Sequence, residues 1–139
     1  MNAFLWAVVT ACIWGVVPLI EKVGLAQNDP VIGLFARSCG VVLGMAVFGL
    51  AWSPWQALSQ MPPASMALLA LGGFLASFIG QLAFYQALKQ GQLTQIVPVA
   101  GTYPLVAAVL GWLFLRESLT LSRVIGVALV VSGMWFLRR

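Results

Sequence analysis

Residues 3–25 read AFLWAVVTACIWGVVPLIEKVGL, an apolar run that ends on an acid and a base, Glu21 and Lys22. A hydrocarbon core of roughly 30 Å needs about 20 mostly apolar residues in a helix that rises about 1.5 Å per residue. The stretch is long enough to cross, and its only charges stand near its C-terminal end. Pro18 has no N–H to donate, so it leaves the Trp14 carbonyl without its ordinary helical partner and is expected to bend the end that carries Glu21 and Lys22. The fold then turns on whether the rest of the chain repeats this pattern.

It does. Of the 139 residues, 62% are hydrophobic and 7% charged, and mean hydropathy is +1.02. Soluble domains carry roughly a quarter of their residues as charged side chains. Ten charges cannot cover the surface of a water-soluble core of this size, so lipid is the expected solvent. Five runs satisfy the length criterion, at about 3–25, 31–51, 65–88, 95–115 and 119–137. The connections are tight turns, apart from residues 52–64, where Pro54, Pro62, Pro63 and two Trp suit a segment lying in the membrane interface. The expected fold is therefore an all-α membrane protein, with residues 1–139 as a single domain of five transmembrane helices and no soluble domain.

An odd number of crossings puts the termini on opposite faces. Two such units joined in series are then antiparallel, so the chain is expected to be one half of an inverted-repeat transporter architecture. Arg116 and Arg123 fall on the face of the N-terminus, whereas Lys22, Arg37, Lys89, Arg138 and Arg139 fall toward the other. The basic bias predicts a cytoplasmic C-terminus and an outside N-terminus, in the cell's inner or plasma membrane. No charged segment precedes the first run, so it is expected to be retained and not removed as a signal peptide.

Several function classes drop out. There is no His, the two Cys lie apart in apolar runs, and Glu21, Asp29 and Glu117 form no pair at helical spacing. No enzyme, metal site or cofactor is expected. The net charge of +4 is dispersed over helix ends, so nucleic-acid binding is not expected either.

Function is expected between the helices. Small residues let helices in lipid approach closely, and Gly33, Gly40 and Gly44, then Gly72, Ala76 and Gly80, and finally Gly126 and Gly133 form such rows. The last pair also suits a dimer face. Gly73, Ser77, Gln81, Tyr85 and Lys89 form a further four-residue row that grows polar toward its end, where Gln81 and Tyr85 either line a cavity or join helices. In the fourth run Gln95, Thr102 and Tyr103 accompany Pro98 and Pro104, a combination that predicts a broken helix beside a substrate path. Glu21, Lys22, Arg37, Gln81, Tyr85, Lys89 and Gln95 all fall in the membrane half nearer the C-terminal face, a one-sided polar vestibule. Lys22 is the leading candidate for substrate contact, with Glu21 as its local counter-charge.

Beyond these patterns the sequence resembles the EamA-like proteins of the drug/metabolite transporter superfamily. WGVVPLIEK at 14–22 is similar to that family's first helix, and Arg37 matches its second-helix Arg. FYQALKQGQLTQIVPV at 84–99 resembles the passage between its third and fourth helices, and GWLFLRE at 111–117 the close of the fourth; Gly126 and Gly133 fit the fifth. The resemblance implies a five-helix unit that exports or exchanges small metabolites such as amino acids and sugar derivatives. It carries over Trp14, Lys22, Arg37 and Glu117, whereas Pro18 and Glu21 depart from the pattern. Small multidrug resistance proteins have an acid deep in the first helix; here that depth holds Trp14, which disfavours their proton-coupled cation efflux.

The expected function is thus secondary transport of a small metabolite by alternating access. Its partners would be the bilayer, the solute, and a second copy in an antiparallel homodimer or a related membrane protein. Alternatives are a flippase for a lipid-linked sugar and a noncatalytic membrane assembly subunit.

Overall fold

The computed structural model describes the backbone of residues 2–118 and 120–137, and their side chains except at 123, 134 and 137. Arg138, Arg139 and the side chain of Arg123, on which the expected orientation partly rests, lie outside the described residues. All regular structure among the described residues is helical. They fall into two compact units, Met1–Gln90 and Gly91–Arg139.

In the first unit α1 spans Ala3–Leu25. Asn2 caps it by accepting a hydrogen bond from Leu5 N at 2.9 Å, which satisfies one of the backbone donors left over at a helix start. The helix continues through Pro18, whose ring is buried. Asp29 then starts α2, Pro30–Trp52, by accepting from Val31 N at 2.8 Å, with Pro30 in the first turn where its missing N–H costs nothing. A short helix α3, Trp55–Ser59, follows Ser53, which ends α2 in a left-handed conformation. It brings the Trp55 ring to within 3.4 Å of where a Cβ on Gly49 would sit.

The third crossing is compound. It comprises α4, Pro63–Phe74, a π-helical segment, Leu75–Gly80, and α5, Gln81–Gln90. Hydrogen bonds from residue i to i+5 widen the turn and offset the faces on either side of it. The expected row from Gly73 to Lys89 is therefore not a single straight stripe; only Gln81, Tyr85 and Lys89 share the regular spacing of α5.

In the second unit α6, Leu93–Ala100, and α7, Tyr103–Leu115, are separated at Gly101 and Thr102. The break falls between Pro98 and Pro104, as their missing donors predict. The last helix, α8, spans Leu121–Leu137. Among the described residues four stretches are long and apolar enough to cross a membrane: Ala3–Leu25, Pro30–Trp52, Pro63–Gln90 and Leu93–Leu115. The fifth expected span corresponds to α8, whose 17 residues are shorter than these.

Burial in the first unit is concentrated where α1 ends, α2 begins and α5 passes. Leu25, Leu34, Tyr85 and Leu88 are at most 3% exposed. Gly33 allows this approach: a Cβ there would stand 2.5 Å from Leu25 Cδ2 and 3.4 Å from the Tyr85 ring. Among the described residues the other glycines of these rows have open surroundings. A Cβ on Gly40, Gly44, Gly72, Gly126 or Gly133 would meet nothing within 4 Å, and one on Gly80 would meet only Leu75 O of its own turn. Lipid or another chain can approach these positions, because apolar helix surface gains little by leaving lipid for a neighbouring helix.

Candidate functional site

Glu21, on the last turns of α1, is the centre of a cluster drawn from three helices. Its Oε1 accepts from the Tyr85 hydroxyl at 2.9 Å and from Gln81 Nε2 at 3.1 Å, both on α5. Arg37 Nε, on the early turns of α2, stands 3.3 Å from the same oxygen. Gln81 and Tyr85 converge because residues four apart lie on one helical face. The Glu21 side chain is 11% exposed and that of Arg37 32%. An ion pair this sheltered is held by hydrogen bonds as well as charge, because neither group gives up water cheaply.

The structure supplies Glu21 with a counter-charge from another helix, Arg37. Lys22 turns to α5, where its Nζ donates to Leu88 O at 2.6 Å. Lys89 makes the opposite connection, donating to Leu25 O at 3.1 Å and Asn28 O at 2.5 Å. Each lysine therefore supplies positive charge to carbonyls at the end of the other's helix, where the helix dipole is negative. Leu88, whose carbonyl accepts from Lys22, is among the most buried residues, at 1% exposure.

Beside the cluster lies a recess of about 260 Å³, lined by Glu21, Arg37 and Tyr85 and by the small residues Gly24, Gly33 and Ala36. Trp14, expected at the cavity, is 60% exposed on α1. Among the described residues no three His, Cys, Asp or Glu side chains come together as metal ligands.

The remaining candidates lie in the second unit. Thr102 Oγ1 donates to Val99 O at 2.7 Å across the helix break, while Tyr103 is 58% exposed and Gln95 half-buried. Pro98 sits inside α6 and Pro104 in the first turn of α7. Arg116 closes α7 in a left-handed conformation, and Glu117 folds back so that its carboxylate lies 3.5 Å from where a Cβ on Gly111 would sit. An apolar groove of about 1090 Å³ runs between α7 and α8, with Tyr103, Trp112, Glu117 and Gly126 on its walls.

Sequence reasoning selected the residues of the cluster but missed two features of its frame. The π-helical segment leaves no mark in composition beyond Gly80. The acceptors of Lys22 and Lys89 are main-chain carbonyls, which any residue supplies; the available signal was two lysines within a turn of two helix ends.

Comparison with known proteins agrees with this architecture. The family model for the EamA-like transporter family matches residues 1–139. An uncharacterized transporter from the cobO 3' region of a Sinorhizobium species is 31% identical over 128 residues, covering 92% of this chain and 90% of that protein. An uncharacterized protein of Methanocaldococcus jannaschii is 39% identical over 56 residues, covering 40% of this chain and 41% of its own. No solved structure matches. A multi-pass helical membrane protein with these similarities belongs to the EamA-like transporter family.

Proposed function

We propose that this membrane transporter moves a small metabolite, such as an amino acid or a sugar derivative, as an exporter or exchanger working by alternating access. The observation that carries the reading is the convergence of Tyr85, Gln81 and Arg37 on one oxygen of Glu21 within apolar helices. Ionisable groups inside a membrane are costly, and they are characteristic of solute and ion pathways.

In this reading α8 completes a fifth span, residues 1–139 form one half of an inverted-repeat machine, and a second copy or a related membrane protein supplies the other half. The C-terminus is cytoplasmic and the N-terminus outside, in the inner or plasma membrane; an antiparallel homodimer then requires insertion in both orientations. Arg37, Gln81 and Tyr85 contact solute, Glu21 gates it, and Lys22 holds the α5 end beside them. Trp14, Gln95, Thr102 and Tyr103 line the path, Pro18, Pro98 and Pro104 permit bending, Glu117 serves as a second charge-pairing group, and Gly126 and Gly133 form the dimer face.

Counterflow in proteoliposomes tests this. Loading the purified chain with a panel of amino acids and sugar derivatives should give flux of at least one solute that Arg37→Ala abolishes and Lys22→Ala reduces. Flux unchanged in both variants removes these residues from the mechanism. The groove between α7 and α8 favours a second reading, a lipid-linked sugar flippase, because an apolar wall open between helices suits an acyl or isoprenoid chain. Scrambling of a fluorescent polyprenyl-phosphate sugar, without counterflow of soluble metabolites, would select it.

A further inference from the structure

Resting on the transport reading, the geometry points to Arg37 as the binding group for a small monocarboxylate that takes the place of Glu21 when Glu21 accepts a proton. Three donors from two other helices, the Tyr85 hydroxyl, the Gln81 amide and Arg37 Nε, are gathered around a single carboxylate oxygen. A donor set built to hold one carboxylate holds another equally well. The occupant seen here is the protein's own.

Room for the second carboxylate lies next to the first. The recess of about 260 Å³ borders Glu21, Arg37 and Tyr85, and Leu25, Asn28 and Ile32 stand among its other walls beside the small Gly33. Drug-sized ligands fill roughly 300–1,000 Å³, so this space suits a solute of only a few carbons.

Charge selects the class. The charged groups on the elements that meet here are Lys22, Arg37 and Lys89 with Glu21 and Asp29. Asp29 is exposed and accepts from Val31 N, Lys22 and Lys89 are directed at carbonyls, and Gln81 and Tyr85 bring neutral donors. Arg37 is therefore the cation that faces Glu21.

The exchange balances. A proton adds to the Glu21 carboxylate, forming an O–H bond and removing its charge, and the guanidinium turns to the incoming anion with no other bond made or broken. Glu21 carboxylate with Arg37 is neutral, and so is protonated Glu21 with Arg37 and a monocarboxylate. Both states avoid an uncompensated charge in a low-dielectric span. An anion entering beside an ionised Glu21 would instead set two carboxylates against one guanidinium. Proton and monocarboxylate therefore bind together and travel together, whereas a phosphate dianion is left unbalanced by one proton.

Calorimetry on the purified full chain, in two buffers of different ionisation enthalpy, tests the inference with propionate and lactate as probes and inorganic phosphate and propylamine as comparators. Wild type should bind a carboxylate with uptake of a proton, more tightly at lower pH, and bind the comparators far less. Glu21→Gln should bind it at least about tenfold more tightly, without proton uptake, because the internal competitor is gone. Arg37→Gln should lose binding, and Arg37→Lys, which keeps the charge but not the planar fork, should recover part of it. Failure of both carboxylates to bind wild type, binding without proton uptake, or equal binding of phosphate or propylamine overturns the inference. Carboxylate binding with proton uptake but no counterflow of any solute would overturn the transport reading alone. Counterflow of a solute lacking a carboxylate, unaffected by Glu21→Gln, would overturn this inference and leave transport standing.

Discussion

The two ends of the first unit follow different rules. Where α1 ends and α2 begins, Leu25, Leu34, Tyr85 and Leu88 are almost fully enclosed, and Glu21, Lys22, Arg37, Gln81, Tyr85 and Lys89 make their polar contacts between helices there. At the far ends of the same helices Phe4 and Leu50 are 73% and 80% exposed, and Gly40 and Gly44 face open space. Composition does not separate the two ends, since both are rich in Leu, Val and Gly. The difference lies in five polar side chains, Glu21, Lys22, Arg37, Gln81 and Lys89, together with Tyr85. In lipid, apolar contact between helices replaces apolar contact with acyl chains and gains little, so polar groups decide which helices meet.

That comparison can be broken at its tight end first. Glu21→Ala strands Arg37, Gln81 and Tyr85 together and should cost roughly 3 kcal/mol of stability, read as a lowered unfolding midpoint in mixed detergent micelles. Gly33→Val places methyl groups where Leu25 and Tyr85 already stand and should cost about 2 kcal/mol in the same assay. Lys22→Ala and Lys89→Ala each remove a charged donor from helix-end carbonyls. Each should cost about 1 kcal/mol, with faster amide hydrogen exchange at the end of the helix that the lysine had capped, α5 for Lys22 and α1 for Lys89. The smallest effect belongs to the open end: Gly40→Ala and Gly44→Ala should leave the midpoint unchanged or raise it by up to about 1 kcal/mol, since Ala is the better helix former. A loss of stability there, with loss of cross-linking between copies, would mean that this end is closed by a partner and the contrast belongs to the isolated chain.

Much of this end of the molecule was legible in the sequence. The first expected span coincides with α1, and the next two differ from the structure by no more than two residues at either end, because Asp29-Pro30 and the Pro62-Pro63 pair are strong helix-start signals. The break at Gly101 and Thr102 was legible from Pro98 and Pro104. Glu21, Arg37, Gln81 and Tyr85 could be assigned to one half of the membrane by counting along each span. Counting does not give azimuth, however, so the partner of Glu21 had to come from the structure. Spacing shows that a helix has a smooth face, as Gly126 and Gly133 give α8, but not what lies against it.

The π-helical segment gives the third crossing a property that a straight helix lacks. From Pro63 to Gln90 it holds 28 residues, more than the about 20 that a membrane requires, and the surplus turn lies between a wholly exposed α4 and an α5 that carries the cluster. A residue inserted or removed within α4 changes the angle of its own lipid-facing surface, and the loose turn can absorb the mismatch before Gln81 is reached. The exposed half of the span is thereby set apart from the half that holds Gln81 and Tyr85 against Glu21.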